Sequence, residues 1–131
     1  MEYRITALYA GLLALLLLLL SARIVLLRRR LRVGIGDGGQ PELARAVRVH
    51  ANFTEHVPLA LLLLLLLEQW CGAIWLHGYG IALLASRLLH AWGLGQSAGS
   101  SFGRVYGTLV TWILLLVGAL ALIVSGLSLS G

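Results

Sequence analysis

Four apolar stretches, each long enough to cross a lipid bilayer and separated by short polar breaks, leave this chain very few folds. They cover about residues 5–27, 41–71, 73–93 and 102–127. In hydrocarbon every backbone N–H and C=O must be satisfied within the protein, so stretches of this length predict transmembrane α-helices. The 131 residues are 60% hydrophobic and 11% charged, with mean hydropathy +0.93. A soluble domain of that size could not bury so much apolar surface. The expectation is one domain over residues 1–131, an all-α integral membrane four-helix bundle. Arg28-Arg29-Arg30 follows the first stretch like a stop-transfer flank, which favours a retained helix over a cleaved signal peptide.

Charge placement sets the expected topology. Six of the ten Arg lie between Arg28 and Arg48, and Lys is absent. The Lys-free, Leu-rich composition reads as codon bias and carries no function. The positive-inside rule puts the 28–40 and 94–101 loops in the cytoplasm and both termini outside. Basic residues beside an apolar segment suit anionic lipid headgroups, and no pattern for nucleic acid accompanies them. Cys71 stands alone, so neither an intrachain disulfide nor a multi-cysteine metal site can form. The Leu-rich runs at 15–20 and 61–67 read as lipid-facing filler.

The second stretch is interrupted by charge. On a helix Arg45, Arg48, Asn52 and Glu55 are spaced 3, 4 and 3 apart and share one face. The uninterrupted apolar part, Val57 to Leu67, gives only about 16 Å of helix at ~1.5 Å per residue. The hydrocarbon layer is about 30 Å thick. The Asn52/Glu55 end is therefore drawn into the membrane boundary. A charge at mid-span costs ~2.5–3.5 kcal/mol on insertion scales, and intramembrane charges mark functional sites. Glu55 needs a partner, and Arg48 or an Arg of a neighbouring helix is the obvious one. Pro41 suits the first helical turn, and Pro58 predicts a kink or local unwinding just after Glu55. With only Gly72 breaking the chain after Cys71, helices two and three form an antiparallel hairpin.

This topology gathers polar groups at one level. Arg23 and Arg28 close helix one; Arg45, Arg48, His50, Asn52 and Glu55 open helix two. Arg87 and His90 share a face near the end of helix three, and Arg104 and Tyr106 open helix four. The other side offers Glu68, His77 and an aromatic belt of Trp70, Trp75 and Tyr79. Gly103-x-x-x-Gly107-x-x-x-Thr111, with Gly118 beyond, reads as a close helix-packing face. His50 and His77 read as packing and interfacial residues, and no histidine spacing suits a metal. An Arg-rich layer with one Glu and one Asn suits a small zwitterion carrying several carboxylates, and would favour a bound thiolate. Glutathione has those groups. A phospholipid headgroup would also satisfy the Arg, and an interhelical polar lock is the structural alternative.

Ala46-Val47-Arg48-Val49-His50-Ala51-Asn52-Phe53-Thr54-Glu55, followed by Pro58, resembles the helix-two signature of the MAPEG superfamily. These are membrane-associated proteins in eicosanoid and glutathione metabolism, microsomal glutathione transferases among them. The basic first loop, Gly72, and Arg87 ahead of His90-x-x-Gly93 extend the likeness over nearly the whole chain, which is most similar to small bacterial members of the inner membrane. The resemblance implies a homotrimer with glutathione, as co-substrate and without a metal, held between subunits near the cytoplasmic face. It implies glutathione contacts from Arg48, Asn52 and Glu55, with Arg23 or Arg28 adding to them, and makes Arg104 the thiol-activating residue. Arg87 and His90 join the binding set from their place in the polar layer. The chain departs from the family pattern where His56, His90 and Leu94 occupy positions that often hold Tyr.

Two functions follow as expectations. One is a glutathione transferase or peroxidase joining the glutathione thiolate to a hydrophobic electrophile, or reducing a lipid peroxide, with the second substrate entering from the bilayer. The other is a non-catalytic lipid- or anion-binding membrane protein with the same bundle. A transporter or channel fits less well, because the polar stripe stops near one interface.

Overall fold

A computed structural model describes residues 2–96 and 102–128. It is all-α, with helices α1 (Arg4–Leu31), α2 (Pro41–Leu67), α3 (Ala73–Gln96) and α4 (Phe102–Ser128), and no strand among the described residues. α1, α2 and α4 are each long and apolar enough to cross a membrane. α3 has the length, about 36 Å at ~1.5 Å per residue. Its apolarity is diluted by Ser86, Arg87 and His90, which are all buried inside the bundle. Residues 97–101 of the expected 94–101 loop lie outside the described residues.

α1 runs four residues past its expected end at Leu27, through Arg28, Arg29 and Arg30. Straight-chain cations are good helix formers and favour the negative end of the helix dipole. The helix stops at Arg32, whose left-handed backbone (φ 57°) returns its N–H to the Arg28 carbonyl. In the turn that follows, Gly36, Gly38 and Gly39 all have positive φ, and Asp37 accepts a hydrogen bond from the Gly39 N–H at 2.9 Å. Arg30 and Glu42 then pair across the α1–α2 connection.

α2 opens on Pro41 and continues unbroken through Pro58. The expected local unwinding is absent. α2 ends at Leu67 and not at Cys71, because residues 68–72 form the turn itself, with Cys71 N–H bonded to the Leu67 carbonyl at 2.9 Å. The hairpin with α3 thus has a five-residue connection.

The core is made by one stripe from each of three helices. Tyr9, Leu13, Leu16 and Leu20 of α1 meet Phe53, Val57, Ala60 and Leu64 of α2 and Leu76, Tyr79 and Leu83 of α3. All follow the 3–4 spacing of a helix face. The Leu runs are therefore only partly filler: Leu15, Leu18, Leu19, Leu62 and Leu66 face outward, while Leu16, Leu20, Leu64 and Leu67 are core. The same periodicity turns Tyr79 into the core, away from the expected belt, and leaves Trp70 and Trp75 exposed.

α4 packs on α3 and α2 and does not touch α1. Its approach to α3 depends on glycine. A Cβ on Gly107 would lie 2.7 Å from the Ser86 carbonyl oxygen, and one on Gly103 would lie 2.6 Å from that of Leu89. The small-residue face expected from the sequence is the α3–α4 seam.

Candidate functional site

The polar stripe of α2 forms one wall of a cleft of about 600 Å³ between α2 and α4. Arg48 and Glu55 sit two helical turns apart and form an ion pair at 3.2 Å, with Asn52 between them on the same face. Their side chains stay about half exposed, at 58% and 47%. Both partners of the pair are therefore accessible from the cleft. The opposite wall is α4, where Arg104, Thr108 and Trp112 recur every four residues, flanked by Val105 and Leu109. His90 of α3 closes the floor and is 4% exposed.

Behind that floor lies Arg87, 3% exposed. Its guanidinium donates to Asn52 Oδ1 at 2.6 Å, to the Gly107 carbonyl at 2.8 Å and to Thr111 Oγ1 at 2.6 Å. Thr111 also bonds Ser86 Oγ at 3.0 Å. The close seam at Gly107 is what brings that carbonyl within reach of α3. Arg87 is thus joined to the cleft through Asn52 and does not line it.

Five further residues line the cleft beyond the expected set: Val105, Thr108 and Leu109, with Trp112 and His56, the latter noted in the sequence only as standing at a family Tyr position. The indole N–H of Trp112 donates to His56 Nε2 at 3.2 Å, and His56 Nδ1 lies 2.9 Å from the Asn52 carbonyl. An indole only donates and a carbonyl only accepts, so the assigned ring is neutral with its proton on Nδ1. The signal was present: His56 is eight residues after Arg48, and Trp112 eight after Arg104, both at helical spacing.

Of the residues expected to form a site, Arg48, Asn52, Glu55, His90 and Arg104 converge on this cleft. Arg23 does not. It borders a separate depression of about 360 Å³ with Arg30 and Glu42. Arg28 donates to the Gly36 carbonyl at 2.7 Å and so fastens the first loop. Both belong to α1, which never meets α4 within one chain. His50 bonds Ser21 Oγ at 3.1 Å and joins α1 to α2, as its place beside the stripe suggested. The side chain of Leu94 lies outside the described residues. No three His, Cys, Asp or Glu side chains gather into a metal site among the described residues.

Comparison with known proteins bears on the chain as a whole. The model of the MAPEG family matches residues 6–124. The chain is 42% identical over 118 residues to the inner membrane protein YecN of Escherichia coli strain K12, covering 89% of this chain and 88% of the relative. The same identity and coverage hold for YecN of Escherichia coli O6:H1 strain CFT073.

Proposed function

The chain belongs to the MAPEG family of membrane proteins, and from that membership we propose that its α2–α4 cleft binds glutathione and presents the thiolate to a hydrophobic second substrate. The observation that carries this reading is the pairing of opposite walls. Arg48, Glu55 and Asn52 offer both charge signs and an amide on one side, while Arg104 stands on the other among Val105, Leu109 and Trp112. A carboxylate-rich zwitterion suits the first wall, and an apolar electrophile arriving from the bilayer suits the second.

In this reading the two Arg hold carboxylate and thiolate, and Glu55 exchanges Arg48 for the ligand's ammonium. Catalysis is positioning plus stabilisation of the thiolate by Arg104. The sulfur attacks the electrophile and expels its leaving group; with a lipid peroxide, two glutathione molecules supply the two electrons and leave as the disulfide. The protein works as a homotrimer in the inner membrane, with its 28–40 and 94–101 loops cytoplasmic and both termini outside. Arg23 and Arg28, which do not line the cleft of their own chain, contribute to that of a neighbouring subunit.

The test titrates purified protein with glutathione while thiolate absorbance is followed, then adds a chlorodinitrobenzene-type electrophile. Arg48→Ala and Glu55→Ala should each weaken glutathione at least tenfold, about 1.4 kcal/mol, and barely change the melting temperature. Arg104→Ala should still bind and form no thiolate. Absence of binding, or binding indifferent to Arg48 and Glu55, rejects the transferase. A second reading, a non-catalytic receptor for an anionic lipid, draws on the exposure of Trp112 and Leu109, which leaves the cleft open along the side of the bundle. Binding of anionic phospholipid, with no thiolate formed from glutathione, would favour it.

A further inference from the structure

The most deeply placed cation of the cleft region is held by neutral oxygens alone. The partners of Arg87 are an amide, a carbonyl and a hydroxyl. None of the ion pairs found among the described residues, Arg4–Glu2, Arg30–Glu42 and Arg48–Glu55, includes Arg87. Burying a guanidinium without a counter-charge is costly, and in a membrane helix such a residue is retained for what it does. Thr111, fully buried and bonded to both Ser86 and the Gly107 carbonyl, fixes the guanidinium from behind.

The remaining contact has a chemical consequence. Arg carries only donors, whereas the Asn side chain carries one acceptor oxygen and one donor nitrogen. Arg87 therefore decides which end of Asn52 points inward. Asn52 lines the cleft, and with its oxygen taken, its nitrogen is the atom left for a ligand. We propose that Arg87 is a positioning residue that makes Asn52 a pure hydrogen-bond donor and places positive charge behind it. The subsite at Asn52 then takes an anionic oxygen, from a carboxylate or a phosphate, and rejects a donor group. This rests on the cleft being the ligand site proposed above, and it names the chemistry of one wall.

Removing Arg87 outright risks the fold, so the informative variant is Asn52→Asp. It keeps an oxygen for Arg87, turning a neutral bond into an ion pair, and replaces the N–H facing the cleft with a second oxygen. The full chain in detergent micelles would be melted and titrated with glutathione and, separately, inorganic phosphate. The expected result is a melting temperature at or above wild type with glutathione bound at least tenfold more weakly. Arg87→Lys, a change outside the cleft lining, should weaken glutathione several-fold. An Asn52→Asp protein that melts well below wild type, or either variant binding glutathione normally, overturns the proposal. Wild-type protein indifferent to glutathione but stabilised by phosphate, with Asn52→Asp abolishing that effect, would reject glutathione and keep the subsite. Indifference to both probes overturns both.

Discussion

The two ends of the bundle carry the same kinds of residue and use them differently. At the α2–α4 cleft, Arg48, Glu55, Asn52 and Arg104 surround open space, and the Arg48–Glu55 pair stays about half exposed. At the opposite end, Glu68 is consumed by the fold. Its two carboxylate oxygens accept the backbone N–H groups of Ile5 and Thr6, each at 2.8 Å. Nearby, the Tyr9 hydroxyl bonds the ring nitrogen of His77 at 3.0 Å. α1 has no acidic residue in its first turn and no side-chain cap of its own, so a carboxylate more than sixty residues away satisfies its first N–H groups. The Glu68 carboxylate is spent on the fold, whereas Arg48, Asn52 and Glu55 still line open space.

Glycine substitutions should break this contrast most sharply. Gly107→Ala drives a methyl to 2.7 Å from the Ser86 carbonyl and 2.9 Å from the His90 nitrogen, both backbone atoms that cannot turn aside. α3 and α4 must part, and Arg87 loses its hold on the Gly107 carbonyl. The expected loss is about 1–3 kcal/mol of stability from overpacking, with glutathione affinity falling beside it. Gly80→Ala is the matched change at the other end, where the new methyl meets the Tyr9 ring at 2.2–2.5 Å. It should cost stability of the same order or somewhat less and leave glutathione affinity intact. Melting and titration of both variants check this. Equal affinity loss in the two would mean that the ends are not separate.

How much of this was visible beforehand depends on the range of the interaction. Apolar block length gave four helices, because satisfying the backbone in lipid is a local demand. Helical spacing put Arg48, Asn52 and Glu55 on one face and made Arg48 one of two expected partners for Glu55, and Gly103, Gly107 and Thr111 announced a close-packing face without saying that α3 fills it. What stayed hidden were pairings between distant segments. Nothing in the neighbourhood of Arg87 says that it will hold Asn52 Oδ1, since that needs the rotation of α3 against α2 and α4. Arg28, expected to help hold glutathione, also gives a donor to the Gly36 carbonyl, a contact its place in the sequence does not announce. The sequence puts Arg23 at the level of the α2 stripe, but level alone does not fix which side of the bundle a residue faces. The end of α2 was misplaced because Glu68, a good helix former, is needed at the turn to reach α1.

Glu68 supplies the mildest test of the same contrast. It lies just beyond the α2 span. Burial alone would raise its pKa, but the bonds from Thr6 and Ile5 and the neighbouring His77 outweigh that and hold the carboxyl below its ordinary 4.5. A carboxylate with a depressed folded pKa binds fewer protons folded than unfolded, so its contribution to stability is complete above the unfolded value. That contribution is lost as pH falls below about 4.5 and through the lower folded pKa. Melting temperatures of wild-type protein should therefore decline across that acidic window more steeply than those of Glu68→Gln, which has no proton to take up there. At neutral pH the variant should melt a few degrees lower, since a carboxylate at a helix N-terminus is worth ~0.3–1 kcal/mol. Glutathione affinity at neutral pH should not move. If Glu68→Gln leaves the acid slope unchanged, the carboxylate is not what fastens α1; if it weakens glutathione, this end of the bundle is coupled to the cleft.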